Sequence, residues 1–278
     1  MKKTFLVLFL AVNLFLIMGL KYKIDSISRY KVPGSSIIYI PSGKHLKYAA
    51  FGYNSLMADL IYLWAIQYFS EQTIWDRFEN LEHVFSIISE LDPRYYDPYD
   101  VGSLIAYYDA KDIDLAFKIL DLGIEKNPDQ WIFPLQAGHY AHMFAEDFER
   151  AEGYYKKAMD IKGSPPIARR LYANAAYERS DYQTAWQNWL EVYETSDDER
   201  VKKIASNHLY RTKATMDIQT INQAIAQFKN SHGRLPRELS ELVTQGFLQN
   251  LPKDLDEKDY FYDGKTGDVM TRVNPWKR

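Results

Sequence analysis

Hydrophobic patterning divides the chain into three stretches. Thr4 to Leu20 is a run of 17 residues that is apolar except where Asn13 and Gly19 interrupt it. From about residue 49 to 199, apolar positions recur at helical spacing in paired segments. Beyond Asp198 a long helical stretch gives way to short alternating runs bounded by Gly and Pro. The middle stretch repeats itself. Leu81–Phe85–Ile88, Ala116–Leu120–Gly123, Ala151–Tyr155–Ala158 and Ala185–Trp189–Val192 share one pattern: a small or apolar residue, an aromatic or Leu four on, and a small or apolar residue three further. The lead positions 81, 116, 151 and 185 lie 35, 35 and 34 residues apart. A period of that length predicts a helix pair per unit, which cannot bury its apolar faces alone and must stack on its neighbours. A small lead residue lets two helices approach closely, and the aromatic residue four on fills the groove. Pro93 and Pro128 are placed to stop one pair before the next. Asp112, Asp147 and Asp181 precede the second helices as caps or dipole partners. The fold expected is mainly α, a solenoid of about four helix pairs.

The N-terminal run follows Met1-Lys2-Lys3 and sits at the short end of the roughly 17–25 residues needed to span a bilayer. The following IMGLKYK offers no small-residue cleavage site, which favours an uncleaved signal anchor over 1–20. A cleaved signal with an atypical site is the alternative. Lys2 and Lys3 point the N-terminus to the cytoplasm, with Lys21 and Lys23 weakening the asymmetry. The expected location is a bacterial inner membrane, crossed once through residues 4–20, with the body in the periplasm. Residues 21–48 read as a connector, with a β-like run in Ser35–Gly43. A second apolar stretch, Tyr48 to Phe69, contains Asn54, Asp59 and Gln67, costly in hydrocarbon. It is therefore expected as a buried helix of the body, the first of the repeats spanning 49–199, with a second membrane span as the alternative its length allows.

Residues 200–278 continue a long helix from Asp198 to Ser231, ended by Gly233 and Pro236. A short helix over Arg237–Thr244 follows, with Leu239 and Leu242 on one face. DYFYD and DVMTR then flank GKTG, which predicts a β-hairpin in a small α+β module.

The repeated segments resemble the tetratricopeptide repeat family, most closely in AFKILDLGIEKNP (Ala116–Pro128) and ERAEGYYKKAMDIK (Glu149–Lys162). The first-helix signature is poorly kept. Leu104 and Tyr107 match in the second unit, while His139 and His142 stand where Gly and Tyr are usual in the third. The first unit carries extra residues over Glu71–Asn80. Such arrays use the face of the first helices to grip an extended peptide or a partner helix. By resemblance, that assigns Val101, Ile105 and Tyr108 in the second unit, Phe133, Gln136 and Tyr140 in the third, and Arg170, Asn174 and Tyr177 in the fourth. Packing against the adjoining pair is the alternative role for each. The last 60 or so residues resemble the heads of type II secretion pseudopilins and type IV pilin-like proteins, in the Leu-Pro-x-Asp of Leu251–Asp254 and in Tyr260, Tyr262, Asp263 and Gly267. A pilin carries its membrane helix directly before that head, and here the repeats intervene.

Composition narrows the function. The net charge of −3 and pI of about 6.1 leave no basic excess for phosphates, so nucleic acid is not expected as a partner. Without cysteine there are no thiolate sites. His139, His142, Glu146 and Asp147 come nearest to a metal cluster, but no zinc signature surrounds them. The acidic DPRYYDPYD (Asp92–Asp100) reads as a repeat junction rather than a hydrolytic acid pair. No catalytic motif is present, and no enzyme activity, cofactor or metal is expected. The expected function is a periplasmic scaffold for protein–protein interaction in a pilus, secretion or exopolysaccharide-export assembly. Alternatives are a glycan-binding or enzyme-accessory subunit of the envelope, and a minor pilin-like subunit. The last would want a prepilin cleavage motif, which is absent before the apolar run.

Overall fold

The computed structural model of the protein describes the backbone of residues 2–25 and 40–274; within the N-terminal helix, the side chains described are Phe9 and residues 12–23. Helix α1 covers Lys2–Asp25, α2 Gly43–Ala49, α3 Asn54–Ser70 and α4 Leu81–Leu91. Helix α5, Asp97–Leu104, continues into a π-helical turn at Ile105–Asp109. Then come α6 (Ile113–Lys126), α7 (Ile132–Met143), α8 (Phe148–Asp160), α9 (Ile167–Glu178), α10 (Tyr182–Thr195), α11 (Glu199–His232) and α12 (Ser240–Thr244). Strands β1 (Phe261–Tyr262) and β2 (Val269–Met270) close the chain as an antiparallel pair, Phe261 opposite Met270 and Tyr262 opposite Val269. The protein is mainly helical with one small sheet. It forms two compact bodies, Met1–Ile119 and Leu120–Arg278, and the division falls inside α6.

The repeat pattern maps onto α4, α6, α8 and α10. All twelve pattern positions are buried, from Leu81, Phe85 and Ile88 through to Ala185, Trp189 and Val192. The turns leading into α6, α8 and α10 are near copies of one another. Each holds a non-glycine residue in the left-handed region: Lys111 (φ 59°), Glu146 (φ 52°) and Ser180 (φ 68°). The aspartate that follows ties both helices together. The N–H groups of Asp112, Asp147 and Asp181 donate to the carbonyls of Ala106, Ala141 and Ala176, at 2.9 Å in each case. Their carboxylates accept from the N–H of Leu115 (2.9 Å), Arg150 (2.9 Å) and Thr184 (3.1 Å). The side chain thus satisfies an orphan donor of the new helix, as an N-cap does.

In the first body, α4 packs against α2, α3 and α5. Helix α3 buries Ala58, Ile61, Ala65, Tyr68 and Phe69, and the Phe69 ring stacks on Phe78 and Phe85. The apolar stretch expected from Tyr48 thus becomes a helix only at Asn54, with one face packed. The connector expected over 21–48 contains most of α2; its β-like run falls largely on 35–39, outside the described residues. Among the described residues, no helix is long and apolar enough to cross a membrane. Of the span expected over 4–20, the side chains of 4–8, 10 and 11 lie outside those described.

In the second body each helix from α7 to α11 packs on the next. The α7–α8 contact depends on Gly138. A Cβ there would lie 2.5 Å from the Tyr155 ring, so only glycine lets these helices approach so closely. The family pattern places its glycine one residue later, at His139. Gly102 in the first body has the same relation to Phe85, at 2.9 Å.

Helix α11, at 34 residues about 50 Å long, serves two neighbours. Its first half adds Ala205 and Leu209 to a cluster with Ala173, Trp189 and Val192. Its second half adds Ala214, Ile221, Ala224, Ile225 and Phe228 to the core of the C-terminal module, with Leu242, Tyr260 and Val269. Gly233 at φ 68° ends the helix and donates to the Lys229 carbonyl. The short helix expected over Arg237–Thr244 is confined to Ser240–Thr244, and Leu242 fills the core from it.

Candidate protein-binding face

Helices α7 and α9 carry the candidate positions of the second body, and the two faces differ. On α7, Phe133 is 0% and Tyr140 2% exposed, so both belong to the core and neither presents a side chain to a ligand. Gln136, half-buried, donates to the Tyr140 hydroxyl at 3.3 Å. In the first body Val101 and Ile105 are half-buried, and Tyr108 is 50% exposed, its ring edge-on to Tyr107 at 4.7 Å. Ile105 opens the π-helical turn, which closes with the Ala110 N–H on the Ile105 carbonyl.

Helix α9 is built differently. Ala168, Ala173, Ala175, Ala176 and Tyr172 are buried, and this alanine-rich side admits close neighbours. Arg170, Asn174 and Tyr177 form a stripe of half-buried residues at helical spacing. The Tyr177 hydroxyl shares a 2.9 Å hydrogen bond with Thr215 of α11. The Arg211 guanidinium lies 3.9 Å over its ring and 3.5 Å from Glu178. Arg170 Nε and Asn174 Oδ1 are shielded from solvent and have no hydrogen-bond partner. A buried donor and acceptor left unmade cost of the order of 1–3 kcal/mol each.

Arg170 also lines a cleft of about 580 Å³ where the start of α9, the end of α10 and the start of α11 meet. Ile167, Val192 and Val201 give it apolar surface; Arg169, Ser196, Asp197 and Asp198 give it polar groups of both signs. Arg169 is held by Glu191 at 2.5 Å and by Asn188 at 3.3 Å, leaving Arg170 as the uncommitted cation of the pair. Sequence reading assigned Arg170 but not the cleft. The available signals were Ser164-Pro165-Pro166 and Thr195–Asp198, two turns facing each other one repeat apart.

The histidine and acidic residues near α7 hold packing and turn positions. The exposed His139 ring is edge-on to Phe144 at 5.7 Å, and His142 faces Phe148 and Tyr155 at 5.3 and 6.1 Å. Burial holds the His142 pKa below its ordinary value, against the pull of Glu178. Glu146 occupies the left-handed turn position and Asp147 the cap. Among the described residues, no group of three or more His, Cys, Asp or Glu is placed to hold a metal ion. Burial pushes the Tyr154 phenol up to about 12, with its hydrogen bond to Asp121 adding to the effect. His208, stacked flat on Trp189 with ring centroids 3.9 Å apart, is pushed down to about 4 by burial and by Arg211. Near neutral pH these groups are an un-ionised phenol and a neutral imidazole inside a helical core. Searches against protein-family models and against curated proteins found no match for the chain.

Proposed function

We propose that this chain is a tetratricopeptide-type scaffold that binds an extended peptide or helix of a protein partner on α9 and in the cleft at its start. The observation that carries the reading is the cleft of about 580 Å³ at the start of α9, lined by Arg170 together with apolar and charged residues. A polypeptide backbone presents a carbonyl acceptor at every residue, which suits the Arg170 guanidinium in the cleft lining. The cleft's apolar residues would take a side chain of the peptide, and its mixed charges would set register. The apolar run 4–20 supports attachment to a bacterial inner membrane with the body in the periplasm, and the pilin-head resemblance of the C-terminal module supports a pilus, secretion or exopolysaccharide-export assembly. No residue is assigned a catalytic role.

The test pairs binding with stability. A photo-crosslinking amino acid at exposed Ile167, in the full chain in native membranes, should capture a specific protein that a probe at exposed Lys156 does not. Arg170→Met with Asn174→Leu should abolish capture while leaving the melting temperature unchanged or higher, because each removes a desolvated polar group. Capture that is nonspecific, or that survives the double substitution, would overturn the assignment.

A further inference from the structure

Helix α3 is largely apolar and packs by one side only; on its open side the exposed Asp59 flanks a leucine stripe and the exposed Gln67 ends it. Its packed face holds Ala58, Ile61, Ala65, Tyr68 and Phe69. On the opposite face Leu56, Leu60 and Leu63 are 55%, 55% and 59% exposed, at one-turn and two-turn spacing. The preceding turn and α2 extend the surface with Tyr48, Phe51 and Tyr53, at 83%, 87% and 71%. Three neighbouring leucines and three adjoining aromatic residues exposed this far exceed the scattered apolar residues of an ordinary surface.

Charge and connectivity identify what covers it. Lys44 and Lys47 of α2 are exposed beside the aromatic residues, and acid at the stripe's edge is limited to Asp59 among the described residues of α3. Leucines flanked by tyrosines and then lysines follow the order of chemistry across a bilayer from acyl chains through interface to headgroups. Lys21 and Lys23 mark the C-terminal end of the apolar run in α1, and 17 residues (26–42) link α1 to α2. Fully extended, such a link reaches at most about 60 Å, so a chain anchored through α1 keeps α2 and α3 close to the same bilayer surface.

We propose that the Leu56–Leu60–Leu63 face of α3, with the Tyr48–Tyr53 segment, lies in the interfacial layer of an anionic lipid bilayer, Lys44 and Lys47 among the headgroups. This rests on reading α1 as the anchor, and it adds a second membrane contact that holds the first body flat against the surface. The absence of cysteine makes the test direct. Single-cysteine full-length chains Leu14→Cys, Leu60→Cys and Lys156→Cys are labelled with an environment-sensitive dye and reconstituted in phosphatidylglycerol-containing vesicles. Lipids carrying a doxyl quencher near the headgroup or deep in the acyl chain report depth.

The Leu60 dye should shift to the blue and lose about half its emission or more to the shallow quencher, the depth expected of an interfacial helix. The Leu14 dye should respond to the deep quencher, and the Lys156 dye to neither. Lys44→Glu with Lys47→Glu should reduce the shallow quenching at position 60 and its dependence on anionic lipid. Quenching at 14 but not at 60 overturns the lipid-facing assignment and leaves the anchor standing. No quenching at either position overturns the anchor, and this contact with it. A blue shift at 60 without lipid quenching also overturns it, because the face is then covered by protein, and cysteine crosslinking between copies shows whether that protein is a second chain.

Discussion

Along α11, the first half packs Ala205 and Leu209 against Trp189 and its neighbours in the repeats, while the second half is fastened to the C-terminal module. The repeats close by shape. Their contacts are aromatic rings fitted to glycine and alanine, as Tyr155 fits Gly138 and Trp189 fits Ala173 and His208. The module has an apolar core too, but buried polar links fix its loop. Asp254, 3% exposed, accepts from the Tyr210 hydroxyl at 2.7 Å and from the N–H groups of Asp256 and Lys258 at 2.9 Å. Tyr260 donates to Asp217 at 2.6 Å, and Lys213 pairs with the same carboxylate. A packed joint loses stability in proportion to the volume removed, whereas a buried carboxylate network fails when one atom changes type. The two halves of one helix should therefore respond to different substitutions.

The largest effect belongs to the packed side. Trp189→Ala should cost about 3–5 kcal/mol, since the ring is 3% exposed and its removal leaves His208 and α9 facing a void. Urea denaturation of the full chain measures it. A loss under about 1 kcal/mol would mean that the joint collapses to fill the gap, and the contrast would weaken.

Asp254→Asn tests the polar side. The amide keeps shape and volume but only one acceptor oxygen: with that oxygen on the N–H groups of Asp256 and Lys258, its NH2 faces the Tyr210 hydroxyl, which loses its carboxylate acceptor. The cost should be about 2–3 kcal/mol, the value of an unsatisfied hydrogen-bond network around a lost charge. It should also be local, with amide exchange faster over 253–272 and unchanged in α7 to α10. Exchange that rises uniformly would show that α11 joins both regions into a single cooperative unit.

Acid separates the regions again. His208 takes a proton near 6.5 in an unfolded chain and at about 4 when folded, so between those values the unfolded state binds more protons. Its contribution to stability is present above about 6.5 and is lost progressively as the pH falls to about 4. For Asp254, burial acts to raise the pKa, but the hydrogen bonds from Tyr210 and the two N–H groups outweigh it and hold the carboxyl below its ordinary 3.8. Its contribution persists above that value and is lost only below it. Melting temperatures followed from pH 7 to 3, with approximate endpoints set by these ordinary values, should show the repeat joint weakening first. His208→Gln should flatten the upper part of the curve alone; an unchanged curve would acquit the histidine.

The sequence carries the packed region better than the polar one, for physical reasons. Burial repeated every 34 or 35 residues leaves its mark at each lead position, so Ala116, Ala151 and Ala185 could be read directly. So could the capping aspartates and the hairpin at GKTG, because caps and turns use a small set of residues. The Tyr210–Asp254 and Tyr260–Asp217 links join residues 44 and 43 apart, and no local pattern encodes such a pairing. The candidate face was legible in part. The family resemblance selected Arg170 and Asn174, but it also selected Phe133 and Tyr140, because a carried-over position gives a face and not its exposure. The cleft at α9 needed two turns brought together from different repeats.

The smallest effect concerns the turns, where the repeats depart from ideal chemistry. Lys111 and Glu146 each adopt a positive φ that an L-residue with a Cβ tolerates poorly. Both precede a capping aspartate, so the turn geometry is imposed by the bonds of Asp112 and Asp147 and not by the residues that bear the strain. Glycine there removes the clash, though it gives the unfolded chain more freedom to lose. The net gain should be about 0.5–1 kcal/mol for Lys111→Gly or Glu146→Gly. A double substitution whose effect is the sum of the two to within a few tenths of a kcal/mol would show that the two turns act independently. If Glu146→Gly destabilises instead, its carboxylate contributes something beyond the turn, and the His139–His142 neighbourhood would be the place to look.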